Sequence, residues 1–320
     1  MSSSYNIDVG TLLNDPTAHQ EGKDILSRPP GAEHTDTGLH GPAPAGYPEN
    51  CFWHVDDPLH NSEMWFYLRV AQFVDIIYDI GADTTIYKGF SGQVHYFEPI
   101  STSNIFEAEQ EIKKGNNVLK NRESHFNNYG LSNITNDKRQ ITWEAGDVRP
   151  NPEGEDIILG DDTFMKTMRG DEYMEKHNHD KVGFISIDVE GHELEVLQGF
   201  GDRLKDVGFV QLEHGGTTYS AGHKLSEIIN YLSEHGFWGF CYLDMYERQY
   251  NDTSNLIGSM TPLHWNENSE DHYAYCNIVC VNKNILQPHQ TLYREIVDHT
   301  SHTKYENEIV KRLLALTWPE

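Results

Sequence analysis

The stretch Phe184-Ile-Ser-Ile-Asp-Val-Glu-Gly-His-Glu-Leu-Glu-Val-Leu-Gln-Gly199 sets the fold class. Its opening residues continue an apolar run from Val182, rich in β-branched and aromatic side chains, as in a strand buried on both faces. An acidic turn, Asp188-Val-Glu-Gly-His192, follows. The period then changes from two to 3.6, and a helix over about residues 193–204 turns Leu194, Leu197, Gln198 and Phe200 inward. A strand that feeds directly into a helix is half of a βαβ unit.

The same alternation extends in both directions. Toward the start, residues 74–80 and 94–98 are short β-rich runs, and Pro99 is followed by a polar helical stretch over 103–114. Residues 124–131 and 140–144 add strands, and residues 171–178 a short helix. Toward the end come a strand over 207–213, a helix over 225–235 and a strand over 239–243. An amphipathic helix over 62–73, with Ser62 as its N-cap, precedes the first strand. This order predicts an α/β domain with a mostly parallel sheet and helices on both faces. Residues 1–50, rich in Ser, Gly, Pro, Asp and His and without periodicity, read as an irregular arm. The domain proper then occupies residues 51–285, and residues 286–320 form a helical extension. Residues 254–271, polar and broken by Pro262, suit a loop over an acceptor.

Composition narrows the function. The 320 residues hold 24 Lys and Arg against 50 Asp and Glu, a net charge of −26. No cationic cluster is available to neutralise a phosphate backbone, so nucleic acid is excluded as a partner, and the same charge disfavours anionic membranes. No apolar run reaches membrane-spanning length, and residues 1–7 lack the basic and apolar parts of a secretory signal; the expected location is the cytoplasm, of a host cell if the source is viral. Four cysteines are too few for a disulfide scaffold, and Cys276 and Cys280, four apart in an apolar strand, read as buried thiols rather than zinc ligands.

In a parallel sheet the ligand lies beyond the carboxyl ends of the strands, near the point where strand order reverses. Those ends read Asp79-Ile-Gly-Ala-Asp83, Glu98-Pro99, Asp188-Val-Glu190-Gly-His192 and Glu213-His214. Six carboxylates and two imidazoles converge there, which suits a cation, a ribose or both. A small-residue turn after the first strand admits a ligand to the backbone. An acid nineteen positions after Asp79, Glu98, has the spacing to hold ribose hydroxyls. The alternative is a glycine required by the turn alone and a capping Glu98. A pyrophosphate-binding dehydrogenase is disfavoured, because residues 81–85 offer one glycine and an added negative charge.

The segment Ile187 to Gly199 resembles the motif Lys-Ile-Asp-Val-Glu-Gly-x-Glu-x-x-Val-Leu-x-Gly of the FkbM-type S-adenosylmethionine-dependent methyltransferases. Asp79 to Tyr87 approximates their Asp-x-Gly-Ala-Asn-x-Gly-x-Tyr, Phe97-Glu98-Pro99 their Phe-Glu-Pro, and Asn128-Tyr-Gly-Leu-Ser132 and Leu212-Glu213 their third- and fifth-strand segments. The resemblance covers about residues 74–281. It implies a Rossmann-like class I methyltransferase fold with a seven-stranded, mostly parallel central sheet. It also implies methyl transfer from S-adenosylmethionine to a hydroxyl of a sugar, glycan or other small molecule. Under it, Asp79, Gly81, Ala82, Asp83 and Tyr87 shape the methionine pocket, Glu98 and Pro99 hold the ribose end, and Asp188 lines the place where cofactor and acceptor meet. Asp188, Glu190 and His192, with His214 as second choice, are the candidates to take the acceptor's proton. A divalent metal on these acids is conceivable but not favoured, and no metal ligand is assigned.

Two positions depart from the motif. Asp83 stands for Asn, placing a negative charge near the methionine carboxylate, and Thr85 stands for Gly, where close backbone approach is expected. They predict weakened cofactor affinity and keep open a degenerate, non-catalytic member of the fold with a binding or structural role. The residues set no expectation for oligomeric state.

Overall fold

The computed structural model describes residues 62–71, 73–83, 85–101, 103–135, 138–144, 147–150, 164–215, 218, 221–243, 260–262 and 276–282. The expected arm (1–50), the C-terminal extension (286–320) and most of the 254–271 loop lie outside them. Eight strands form one sheet: β1 (Ile76–Ile80), β2 (Gln93–Phe97), β3 (Glu123–Asn127), β4 (Val182–Ile187), β5 (Val207–His214), β6 (Phe237–Leu243), β7 (Met260–Pro262) and β8 (Cys276–Asn282). Their order is β7-β6-β8-β5-β4-β1-β2-β3. The five strands from β5 to β3 are parallel, whereas β8 runs antiparallel to β5 and β6. Seven of these strands were expected, and the three-residue β7 extends the edge beyond them. Strand order reverses between β1 and β4, which fixes the crevice for a ligand at their carboxyl ends.

Helices cover both faces. On one lie α1 (Glu63–Val70) and α2 (Asn104–Lys113), packed on Ile77, Val94, Phe184 and Phe209. On the other lie α3 (Gly170–Lys176), α4 (Glu193–Phe200) and α5 (Leu225–Glu234), packed on Tyr78, Ile80, Ile185, Ile187 and Val210. In α5 the buried residues Leu225, Ile228, Ile229 and Leu232 follow an i, i+3, i+4, i+7 stripe. Each such burial contributes about 1.5–3 kcal/mol.

Several sequence expectations are corrected. The helix after β4 is α only to Phe200 and continues as a 3₁₀ turn over Gly201–Asp206. Its buried side is Glu193, Val196, Leu197 and Phe200, with Leu194 and Gln198 half-buried. Ser62 sits at the start of α1 in a left-handed conformation (φ 64°) and makes no side-chain cap bond. The strand expected over 124–131 breaks after Asn127, because the Asn128 amide donates to the carbonyls of Glu98 and Pro99 and bends the chain away. Gly130–Leu131 instead joins Phe164–Met168, Lys138–Glu144 and Asp147–Pro150 in a second, four-stranded sheet that the sequence did not announce. Cys280 is a buried thiol, as expected of a structural cysteine, and Cys276 opens the same strand.

An aromatic and imidazole cluster lies on the α3 side of β1–β3. His95 stacks on His125 at 4.2 Å and meets His179 edge-on at 4.7 Å, with His177 at 5.8 Å. Its Nδ1 lies 2.7 Å from the Tyr173 hydroxyl and its Nε2 3.4 Å from Gln93 Oε1. An amide oxygen only accepts, so Nε2 carries the proton and Tyr173 donates to Nδ1. Burial and three neighbouring imidazoles push His95 down to about 2, and burial with the same neighbours pushes His179 down to about 4. A histidine whose folded pKa is lowered leaves stability untouched above about pH 6.5 and removes it below, at about 1.4 kcal/mol per pH unit for the buried His95. Raised carboxyls such as Glu98 and Glu193 change stability in the opposite direction over the same interval, so the cluster is read from a variant: His95→Gln should raise the denaturant midpoint at pH 5 relative to that at pH 7.5, compared with the unaltered protein. An identical pH dependence in the two proteins would show that the cluster is not held neutral.

Candidate functional site

Parallel pairing brings the ends of β1, β2, β4 and β5 to one rim. Asp79 pairs with Tyr96 and Ser186, Ile187 with Leu212, and Asp188 and Glu213 continue those strands side by side. Ligand atoms of Asp188, Glu190 and Glu213 lie within 4.8 Å of one another. Asp188 is solvent-exposed at the rim, with Glu213, Glu190 and Glu63 acting on it. Burial, a hydrogen bond and repulsion from Glu213, and the charges of Glu190 and Glu63 hold its carboxyl well above the ordinary range. Such a group is a stronger base than a free carboxylate.

The turn that carries these acids is tightly built. Glu190 (φ 53°) and Gly191 (φ 101°) are both left-handed. The buried Glu193 holds them, accepting from the Gly191 N–H at 2.9 Å and from the Thr218 hydroxyl at 3.3 Å. Burial raises the Glu193 carboxyl to about 7. The motif's last glycine has a packing role: a Cβ on Gly199 would lie 2.2 Å from the Ser132 carbonyl oxygen. Gly81 is constrained likewise. Its φ is 89°, and a Cβ there would lie 1.6 Å from the Asp188 carbonyl oxygen. The fold requires this glycine to join β1 to the end of β4, apart from any ligand.

The other expected residues fall in different places. Asp79 is buried, and burial with the charges of Glu63 and Glu98 raises its carboxyl, while the Thr85 hydroxyl bonds it. Its Oδ2 accepts no hydrogen bond from any described residue. Ala82 and Tyr87 are buried beside it in the core under α1. Glu98 accepts from the Ile100 N–H through Oε1 at 2.7 Å, the capping role. Burial raises Glu98 to about 7. Asp83 turns away from the cleft: its Oδ1 accepts from the Ser103 hydroxyl at 2.8 Å and the Asn104 N–H at 3.2 Å, at the start of α2. A carboxylate there complements the helix dipole, while its charge still acts on Glu98. Thr85 is absorbed as well, its hydroxyl accepting from the Tyr87 N–H.

Neither histidine joins the acids. His192 is buried rather than on the surface, with Nε2 2.9 Å from Ser132 Oγ and Nδ1 3.5 Å from Glu195. His214 is fully buried and alternates with Glu213, so it points to the opposite face of the sheet. Glu213 falls at the rim, as its place at a strand end led one to expect, and two further residues there carry no role in the sequence motifs: Gln211 and Glu63. Gln211 was signalled by its polar i, i+2 pairing with Glu213 inside an otherwise apolar strand. Glu63 gave no signal, because it reaches the rim from a separate helix.

The methyltransferase FkbM domain matches residues 75–237, from the approach to β1 to the first residue of β6. Hexuronic acid methyltransferase AglP of Haloferax volcanii is 31% identical over 170 residues, 52% of this chain and 65% of that protein. The alignment thus spans less than two thirds of the relative's length. No solved structure matches. Among the described residues no helix is long and apolar enough to cross a membrane.

Proposed function

This chain belongs to the methyltransferase FkbM domain family, and from that premise we propose that it moves a methyl group from S-adenosylmethionine to a hydroxyl of a sugar or glycan. The observation that carries the reading is the exposed Asp188, grouped with Glu190 and Glu213 where the parallel strands β1, β4 and β5 end side by side. The residues present fit the cofactor. The orphaned Asp79 Oδ2 asks for a donor, and Glu98 directly follows the last residue of β2, where a carboxylate suits ribose hydroxyls. A hexuronic acid as acceptor is favoured by the relative's activity. The family's methyl transfer and the diversion of Asp83 to α2 both weigh against a purely structural role.

When bound, S-adenosylmethionine supplies an electrophilic methyl group on a positively charged sulfur. The chain's own work is positional and basic. The β1 turn and Glu98 hold the cofactor's two ends so that the acceptor oxygen can be aligned, the step that contributes most in a displacement of this kind. Asp188 accepts the hydroxyl proton as the new bond forms. Glu213, hydrogen-bonded to Asp188, keeps its basicity high by repulsion. We assign the acidic trio to proton transfer rather than to a metal.

Calorimetry with S-adenosylmethionine tests the reading, followed by transfer of an isotope-labelled methyl to oligosaccharides with and without a hexuronic acid. Binding, and label retained on the uronic-acid acceptor after strong chelation, are expected. Absence of binding at millimolar cofactor would overturn the proposal.

A further inference from the structure

Helix α1 precedes the matched family segment, yet its placement on the sheet is specific. Phe66 meets Phe184 and Phe209 at 6.0 and 6.4 Å, and Tyr67 meets Tyr87 edge-on at 4.9 Å. Residues i and i+3 share a helix face, so Glu63 lies on the face of Phe66, one turn nearer the helix start. Gln211, two residues beyond Phe209 on the same face of β5, donates from Nε2 to Glu63 Oε1 at 2.9 Å. The helix therefore runs against the strands and delivers Glu63 toward their carboxyl ends, where its charge acts on Asp79, Tyr87 and Asp188.

Two buried acceptors beside this carboxylate ask for a donor. Asp79 is 8% exposed and Gln211 2% exposed, and neither Asp79 Oδ2 nor Gln211 Oε1 receives a hydrogen bond from a described residue. No lysine or arginine is among the groups acting on Asp79. A partner that brings N–H donors and positive charge together would satisfy both acceptors and offset the repulsion between Asp79 and Glu63. A sulfonium has the charge without the donors; an ammonium has both.

We infer that Glu63 and Asp79 together receive the α-ammonium group at the amino-acid end of the cofactor, with Gln211 holding Glu63 in position. This inference rests on the S-adenosylmethionine reading above. It adds to the family's matched core a binding residue supplied from outside it.

The experiment uses the full chain and three ligands: S-adenosylmethionine, S-adenosylhomocysteine, and 5′-methylthioadenosine, which lacks the amino-acid end. Glu63→Gln keeps the side chain's shape and its acceptor for Gln211 while removing the charge. It is expected to weaken the first two ligands by about tenfold each, the scale of a charge-assisted hydrogen bond, and to leave 5′-methylthioadenosine unchanged. Glu63→Asp, which keeps the charge, should bind S-adenosylhomocysteine more tightly than Glu63→Gln does, and serves as the second variant should the first fail to fold. Unchanged affinities, or an equal loss for all three ligands, would overturn the assignment. A loss confined to S-adenosylmethionine would overturn it too, since that places the charge at the sulfonium. If the unaltered protein binds none of the three, the cofactor reading fails along with this one; if it binds them and Glu63→Gln does not discriminate, only this inference fails.

Discussion

Replacing Asp188 with Asn should lower kcat by about 10²- to 10⁴-fold at saturating cofactor and acceptor, the contribution typical of a positioned base. The affinity for S-adenosylmethionine, measured by calorimetry, should change far less, because in the proposed reaction the side chain meets the acceptor rather than the ribose or amino-acid end. The pH profile supplies a second readout. A base must be deprotonated to act, so activity should fall as pH drops through the Asp188 pKa, which burial and Glu213 hold above the ordinary carboxylate range. The Asn variant should lose that acid limb. Its stability should move the other way. A carboxyl whose folded pKa is raised destabilises the fold once pH exceeds its unfolded value, so Asp188→Asn should melt higher at pH 8. Full activity in Asp188→Asn would remove the residue from the chemistry and leave Glu190 and Glu213 as the alternatives.

The second large effect is structural. Gly81→Ala places a Cβ 1.6 Å from the Asp188 carbonyl oxygen at a φ of 89°. The obstructing atom is backbone at the junction of β1 and β4, so no rotamer change relieves it. A loss of roughly 4 kcal/mol or more is expected, in the class of overpacking combined with a strained backbone. At roughly 2–4 °C per kcal/mol for a protein of this size, melting should fall by roughly 8–16 °C, or the variant should not accumulate as soluble protein. The measurement separates two roles for this glycine. If it served only to admit a ligand, the variant would keep its melting temperature and lose only cofactor affinity. An unchanged melting curve would therefore contradict the packing role.

Much of this arrangement was legible along the chain. The apolar run from Val182, the acidic turn and the helix that follows announced β4, its rim and α4, because a strand buried on both faces and an amphipathic helix each leave a periodic trace. The acids ending β1 and β2 were legible for the same reason: once strands are found, parallel pairing leaves little freedom in where their carboxyl ends lie. The break after Asn127 and the second sheet were not, since a side-chain bond from Asn128 to two carbonyls across the rim decides them.

The roles of individual side chains divide along the same line. By itself the sequence determined the strand order class, the crevice and the cluster of acids at its edge, all of which follow from local periodicity and residue type. Only the tertiary structure decided which acids face the crevice. Asp83 was drawn off to the start of α2, His192 was buried against Ser132, His214 was turned to the far face by alternation, and Glu63 was brought in from a helix more than a hundred residues distant from Asp188 in the chain. The physical reason is common to all four. Hydrogen bonds and charge repulsion act across a few ångströms of space, and that distance is set by how helices pack on the sheet rather than by separation along the chain.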